Sequence, residues 1–311
     1  MDDKITISFY ELTRMVPDEV SARHFLERKR WPDGIRTCPD CGHCHTTARG
    51  GSREGYYRCC RCRMEFTIRT GSLFERSHIP LNKWILAIYM IVTARKGISS
   101  MQASKELSVG QGAAWFMMHR IRSAMATADS TVLRGIVEVD ETYLGGKETN
   151  KHESKKLNAG RGAVGKIPVV GIRERNGKVI AKVVTDTKKM TLQSMIYRHV
   201  ATGATVNTDD YGAYCGLDSK YRHNVVCHSA KEYVNKMAHT NGIESVWALL
   251  KRGFYGTFHK FSLVHLQRYV DEFCFRLSEG ACYIETTLRM DAIVNRFWGN
   301  RLQYATLVGW S

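Results

Sequence analysis

The sequence lacks an apolar run long enough to cross a bilayer. The longest, Trp84 to Ala94, falls well short of the roughly 20 residues that a spanning helix needs, and it reads as a core helix. A secretory signal is missing too, because Met1-Asp2-Asp3-Lys4-Ile5-Thr6 offers no basic stretch followed by an apolar one. Acidic residues are scarce, 30 against 46 lysines and arginines, which leaves a formal charge of +16 and a pI near 9.5. That imbalance favours a polyanionic partner, nucleic acid ahead of an anionic membrane surface. Without an export signal, the 10 cysteines are expected as reduced thiols or metal ligands rather than as a disulfide framework.

What is present divides the chain. With 311 residues, 43% hydrophobic and 24% charged, it can bury a sizeable core and build two or three globular units. Residues 1–35 read as a lead-in helix with Val20, His24 and Phe25 on one face and Arg28-Lys29-Arg30-Trp31 at its end, placed to touch DNA. Residues 36–72 hold six of the cysteines, including the knuckles Cys38-Pro39-Asp40-Cys41-Gly42 and Cys59-Cys60-Arg61-Cys62. Paired C-x-x-C motifs supply four thiolates, enough for a closed tetrahedral zinc site in a ribbon with strands near Tyr57 and Phe66. Cys44, Cys60, His43 and His45 are spare donors, and a ligand set drawing on Cys44 or Cys60 stays open. A closed site is structural, so this module binds rather than catalyses. The other cysteines, Cys215, Cys227, Cys274 and Cys282, are expected as small buried hydrophobes.

Residues 78–128 predict three helices, marked by Ile85, Ile88, Tyr89 and Val92, by Ser99 to Leu107, and by Ala114, Met117, Met118, Ile121 and Met125. A short helix, the turn Ser108-Val109-Gly110 and a longer helix with His119, Arg120 and Arg122 fit a helix-turn-helix that contacts DNA. After Ala128 the pattern turns to strands: 135–139, 167–173 and 179–184, with Arg175-Asn176-Gly177 as the hairpin turn. A helix over 191–200, strands over 204–207 and 223–227, and a short segment through Tyr214 and Leu217 complete the run. The fold class is therefore α/β with a mixed sheet. Between the first two strands, residues 145–166 form a glycine-rich loop with Lys147, Lys151, Lys155, Lys156, Arg161 and Lys166, a candidate phosphate contact.

The helix that follows carries the most chemistry. Ile243, Val246, Trp247 and Leu250 recur at helical spacing. At about 100° per residue, Glu244 and Lys251 fall within roughly 20° of each other, on a stripe beside the apolar face, and Asn241 precedes Glu244 by one turn. Asp140 just past the first strand, Asp209 just past the fourth and Glu244 then gather at one edge of the sheet. Like charges held close need a cation, and carboxylates are what Mg²⁺ accepts. A later helix, Leu263 to Leu277, is expected to turn Leu266, Tyr269, Val270 and Phe273 inward.

These residues carry a resemblance. The chain resembles bacterial insertion-sequence transposases that join an amino-terminal zinc ribbon to an RNase H-like DDE catalytic core. The likeness rests on Cys38-Pro39-x-Cys41-Gly42 with Cys59-x-x-Cys62, and on Val137-Glu138-Val139-Asp140-Glu141-Thr142-Tyr143-x-Gly145-Gly146-Lys147. It rests also on Thr208-Asp209-Asp210, on His239-Thr240-Asn241-x-Ile243-Glu244-x-x-Trp247-x-x-x-Lys251-Arg252, and on Gly256-x-x-His259 with His265 to Arg276. It implies an RNase H-like mixed sheet with helices over 132–280, behind the ribbon and a small helical domain, with 281–311 as a tail. Asp140, Asp209 and Glu244 would bind two catalytic Mg²⁺ ions, with Mn²⁺ as a substitute, and Lys251 would position DNA. Asn241 is a possible participant, and Asp210 competes with Asp209. Double-stranded DNA, as element ends and target, would be the partner of a homo-oligomer in the cytoplasm at the nucleoid. The implied activity is strand cleavage and strand transfer. A nuclease of the same fold that does not join strands, or a zinc-ribbon regulator with an inactive core, are the alternatives.

Overall fold

Ser8 and Glu11 open the first helix by capping each other. The Ser8 hydroxyl accepts the Glu11 N–H at 3.1 Å, and the Glu11 carboxylate accepts the Ser8 N–H at 2.7 Å, which satisfies donors that a helix start leaves orphaned. The computed structural model describes residues 6–146, 152–156, 165–226, 239–259 and 261–309. They form two compact units, one from the amino-terminal residues through Met125 together with Cys282 onward, the other spanning Ala126–Ala281.

In the first unit, helices α1 (Phe9–Met15) and α2 (Glu19–Arg30) lead into an antiparallel sheet of β1 (Thr46–Ala48), β2 (Tyr57–Cys59) and β3 (Glu65–Phe66). The buried face of α2 is Ala22, Leu26 and Glu27, rather than the predicted Val20 and His24, which are exposed. Tyr57 explains the shift, because its hydroxyl donates to the buried Glu27 carboxylate at 2.5 Å and fixes which side of the helix turns in. Helices α3 (Leu81–Thr93), α4 (Ser100–Glu106) and α5 (Gln111–Ala124) follow with the predicted short turn between α4 and α5.

The basic side chains of α5 do not face outward. His119, Arg120 and Arg122 are all buried, and the Arg120 guanidinium donates to the Leu302 and Leu73 carbonyls at 3.2 and 3.1 Å. The helix is more hydrophobic in use than in composition, since Arg120 also lies 4.2 Å over the Phe116 ring. Arg120 therefore serves as an internal brace, and the exposed part of α5 is its first turn, Gln111, Gly112 and Ala113. Arg120→Ala is accordingly expected to destabilise the chain by roughly 2–3 kcal/mol, the scale of losing buried charge-assisted bonds. The salt dependence of DNA affinity should stay unchanged in the same variant. A smaller salt slope with normal stability would show Arg120 on a phosphate instead.

The second unit is built on a five-stranded sheet, with β4 (Ile136–Leu144), β5 (Ile167–Glu174), β6 (Val179–Val183), β7 (Thr205–Asp209) and β8 (Arg222–Val226) in the order β6-β5-β4-β7-β8. The first three pair antiparallel, while β7 runs parallel to β4 and β8 parallel to β7. This mixed order is that of an RNase H-like sheet. Asn176, in the left-handed region at φ 60°, makes the predicted hairpin turn between β5 and β6. Helix α6 (Lys189–His199) covers one face, where Leu192 and Ile196 pack on Val137, Val139 and Val206. Helices α7 (Asn241–Gly253) and α8 (Leu266–Leu277) cover the other, where Ile243, Trp247 and Leu250 meet Val169, Val179, Val270 and Phe273.

Leu266, Tyr269, Val270 and Phe273 of α8 all point inward as predicted. Gln267 of the same helix also accepts from the Val183 N–H at 2.8 Å and donates to the Ala181 carbonyl at 3.0 Å, so it satisfies backbone groups that the edge strand β6 would otherwise leave open. The chain then returns to the first unit through α9 (Thr286–Val294) and α10 (Tyr304–Val308), where Leu73 N–H donates to the Phe297 carbonyl at 3.1 Å. Cys274 is buried as predicted, but Cys215 and Cys282 are exposed, because each stands in a surface connection rather than on the inward face of an element. Lys147, Lys151, Arg161 and Cys227 lie outside the described residues, and with them most of the basic-loop reading. No helix among the described residues is long and apolar enough to cross a membrane.

Candidate active site

The site begins with alternation along β4. Successive side chains of a strand point to opposite faces, so Val137, Val139 and Glu141 face the α6 side while Glu138 and Asp140 face α7. The strand does not stop before Asp140 as predicted. Its pairing with β5 continues to Leu144↔Ile167, whereas its parallel pairing with β7 runs only from Ile136↔Thr205 to Glu138↔Asn207. The two central strands therefore part just beyond Glu138, and carrying the register on by two residues brings Asp140 level with Asp209, the last residue of β7.

Electrostatics confirm the proximity. Burial raises the Asp140 carboxyl to about 7, the negative charges of Glu141 and Asp209 push the same way, and the Glu141 N–H and Trp247 indole N–H oppose. Glu141 is raised as well, by burial first and by Asp209, against a 2.7 Å hydrogen bond donated by the Tyr214 hydroxyl. Tyr214 is in turn pushed upward by burial and by that neighbouring carboxylate. Asp209 is half-buried and accepts the Tyr211 N–H at 3.2 Å, while Asp210 is exposed beyond the strand. The charge of Asp209 acts on Asp140.

Glu244 stands exposed in the first turn of α7 and accepts the Thr240 hydroxyl at 3.0 Å. Asn241 opens the helix and Lys251 lies exposed in its last turn, on the same stripe as Glu244. Asp209 lies near enough for its charge to act on both Asp140 and Glu141. The structure does not bring Asp140, Asp209 and Glu244 to one point: among the described residues, the one group of three or more ligand atoms all within 4.8 Å is the cysteine cluster.

That cluster is Cys38, Cys41, Cys59 and Cys62, with Cys44 and Cys60 exposed outside it. Its sulfurs approach at 3.6 Å for Cys38 with Cys62 and 3.6 Å for Cys41 with Cys59. A tetrahedron with Zn–S bonds of about 2.3 Å has edges of about 3.8 Å, so the four thiols fit zinc. Burial acts to raise the Cys59 thiol, yet the backbone N–H groups of Cys62 and Arg61 and the adjoining thiols hold it down to about 7, while Cys62, lowered by the Met64 N–H, is pushed up overall by burial and the thiols around it.

One site residue escaped the sequence reading. Glu138 is 1% exposed, and its carboxylate accepts the Ile243 N–H at 3.0 Å from the start of α7, beside Arg175 at 3.3 Å and His239 Nδ1 at 3.4 Å. A carboxylate at a helix N-terminus meets the positive end of the helix dipole. Gly242 permits the approach, since a Cβ there would lie 2.4 Å from Glu138 Oε2. Arg173, opposite Glu138 in the β4–β5 register, donates to the Gly242 carbonyl at 2.5 Å and to Ser245 Oγ at 2.8 Å. The signal was present in Val137-Glu138-Val139-Asp140, which puts a second acid on the Asp140 face of a buried strand. Glu138→Ala is expected to cost about 3–5 kcal/mol, because it removes the buried carboxylate that pairs with the part-buried Arg175 and accepts from the helix start. Urea unfolding measures this, and a loss under 1 kcal/mol would show that Glu138 does not hold α7.

Residues 132–278 match the family model described as "ISXO2-like transposase domain", and residues 17–65 match "Transposase zinc-ribbon domain". The chain is 31% identical over 250 residues to an uncharacterized protein in transposable element ISH50 of Halobacterium salinarum, across 75% of this chain and 82% of that relative. Among solved structures, a pre-cleavage Mos1 transpososome aligns with 68% of this chain and 75% of its own at 11% identity and a TM-score of 0.27.

Proposed function

The chain belongs to the insertion-sequence transposases that join a zinc ribbon to an ISXO2-like transposase domain, and from that membership we propose that Asp140, Asp209 and Glu244 form its metal-dependent phosphoryl-transfer site. The observation that carries the reading is the placement of Asp140 level with Asp209 just beyond the point where β4 and β7 separate, with burial and neighbouring acids holding the Asp140 carboxyl at about 7. Two half-buried carboxylates, one of which raises the proton affinity of the other, suit a hard divalent cation with oxygen ligands.

Mg²⁺, or Mn²⁺ in its place, would when bound activate the attacking oxygen and stabilise the leaving one. Asp140 and Asp209 would hold the ions between them. Glu244 would complete the ligand set by closing from the first turn of α7, with Asn241 beside it. Lys251, on the same stripe, would pair with a DNA phosphate and orient the strand. Water would first hydrolyse a phosphodiester at the element end and leave a 3′-hydroxyl, which would then attack a target phosphodiester and displace its 3′-oxygen. The ribbon and the helical unit would bind double-stranded DNA, with both element ends held by a homo-oligomer.

The test supplies the protein with a pre-cut element end and a target plasmid in Mg²⁺. Joined products support the reading, cleavage without joining would assign a nuclease, and DNA binding without either would assign a regulator.

A further inference from the structure

Resting on that site reading, we propose that Trp247 is the positioning residue for Asp140, and that Gly171 is the seat which lets it act. Three observations meet at this point. The Trp247 indole N–H donates to Asp140 Oδ2 at 2.9 Å, while the other oxygen, Oδ1, accepts the Glu141 N–H at 2.8 Å. In the β4–β5 register the residue directly opposite Asp140 is Gly171. A Cβ on Gly171 would lie 2.5 and 2.6 Å from Cη2 and Cζ2 of Trp247 and 2.8 Å from Cδ1 of Ile243.

The arrangement has a mechanical logic. The terminal torsion of an aspartate is soft and broad, so a carboxylate does not hold one plane by itself. Here each oxygen accepts one hydrogen bond, which sets the plane and leaves a lone pair on each oxygen for a cation. The indole is a good clamp because it is rigid and 4% exposed, packed on the apolar face of α7. Reaching Asp140 requires the ring to cross strand β5, and it does so above the residue without a side chain.

Gly171 has no positive φ, so the backbone does not demand glycine there. A glycine inside a strand weakens it and often marks a close approach of other groups, and here the ring of Trp247 is what approaches. Trp247 also follows Glu244 by three residues, less than one turn of the helix. The same turn that presents the third acid therefore holds the first, and a shift of α7 moves both together.

A purely structural indole N–H, bonded to the nearest acceptor, would leave cation affinity untouched. The experiment measures Mn²⁺ binding to the full-length, zinc-loaded protein without DNA, from the electron paramagnetic resonance signal of free Mn²⁺. Wild type, Trp247→Phe, Gly171→Ala and Asp140→Asn are compared, with a thermal melt of each.

Trp247→Phe keeps an aromatic ring and removes the donor. It should raise the Mn²⁺ dissociation constant about 10-fold, the lower end of what loss of an outer-shell partner costs. Gly171→Ala, which displaces the ring, should shift it in the same direction, and the Mg²⁺ concentration for half-maximal cleavage should rise in parallel at unchanged KM for DNA. Should Trp247→Phe fail to fold, benzothienylalanine at the same position replaces the N–H by sulfur in a ring of the same size and answers the question. Wild-type Mn²⁺ affinity in these variants, with binding lost in Asp140→Asn, would overturn the positioning role and leave the metal site standing. Unchanged binding in Asp140→Asn would overturn both.

Discussion

Asp140→Asn is expected to abolish DNA cleavage and strand transfer, by about 10³-fold or more, or roughly 4 kcal/mol of transition-state stabilisation, while making the metal-free protein more stable at alkaline pH. The two effects have one cause. The Asp140 carboxyl is held at about 7 against an ordinary value of 3.8, chiefly by burial and then by Glu141 and Asp209. An unfolded chain releases that proton near pH 4, and the folded chain keeps it until about pH 7. The folded state therefore binds the extra proton through that window, and stability linked to it is fully present below pH 4 and lost as pH rises toward 7.

Above pH 7 the ionised carboxylate costs the fold up to about 4 kcal/mol, which asparagine relieves and a bound cation also relieves. Melting curves from pH 4 to 8 should show the variant pulling ahead of wild type across that interval. Mg²⁺ at pH 8 should then raise the wild-type midpoint and leave the variant's unmoved. Cleavage of a labelled element-end duplex supplies the other half of the test. If Asp140→Asn cuts at the wild-type rate, the carboxylate does no chemistry and the site assignment fails.

Much of this was legible in the residues. Strand and helix order followed from alternation and from the 3.6-residue period, and Asp140 and Asp209 were found because each stands where a β-rich run gives way to acids. What could not be read was which of two pairings ends before Asp140. Periodicity marks a strand but is blind to its neighbours, and only the register shows β4 continuing with β5 after leaving β7.

Glu138 escaped for a related reason: a buried acid is visible as an anomaly, but its partners, the Ile243 N–H and Arg175, are distant in sequence. The arginines of α5 misled because composition counts charges without saying where they point. Arg120 finds two backbone carbonyls inside the unit, which no local pattern announces. Cys44 and Cys60 remained spare donors in an alternative ligand set until the structure gathered the four knuckle cysteines, and not them, at a common point.

Stripping zinc should undo the ribbon altogether. The sheet of β1, β2 and β3 has three short strands, with only Thr46↔Cys59 to Ala48↔Tyr57 and Tyr57↔Phe66 to Arg58↔Glu65 in register. A sheet of that size does not stand without help. Its apolar support is Tyr57, Phe66 and Trp31, whose rings meet at 5.7 to 6.3 Å, Arg49 and Arg53 pair with Glu65 at the part-exposed edge, and the four sulfurs join the two knuckles. Binding of structural zinc by four thiolates is worth on the order of 10–16 kcal/mol at neutral pH, more than a small domain's whole stability. Cys59→Ser, or prolonged treatment with a strong chelator, is therefore expected to expose the amides of Tyr57 and Phe66 to rapid hydrogen exchange. The amides of Val139 and Val170, in the second unit, should keep their protection. Cys60→Ser, one residue away and outside the cluster, is expected to retain one zinc per chain and native exchange. If Cys60→Ser lost the metal while Cys59→Ser kept it, the ligand set drawn here would be wrong. If both kept native exchange after zinc was removed, the ribbon would be held by its aromatic contacts and ion pairs alone.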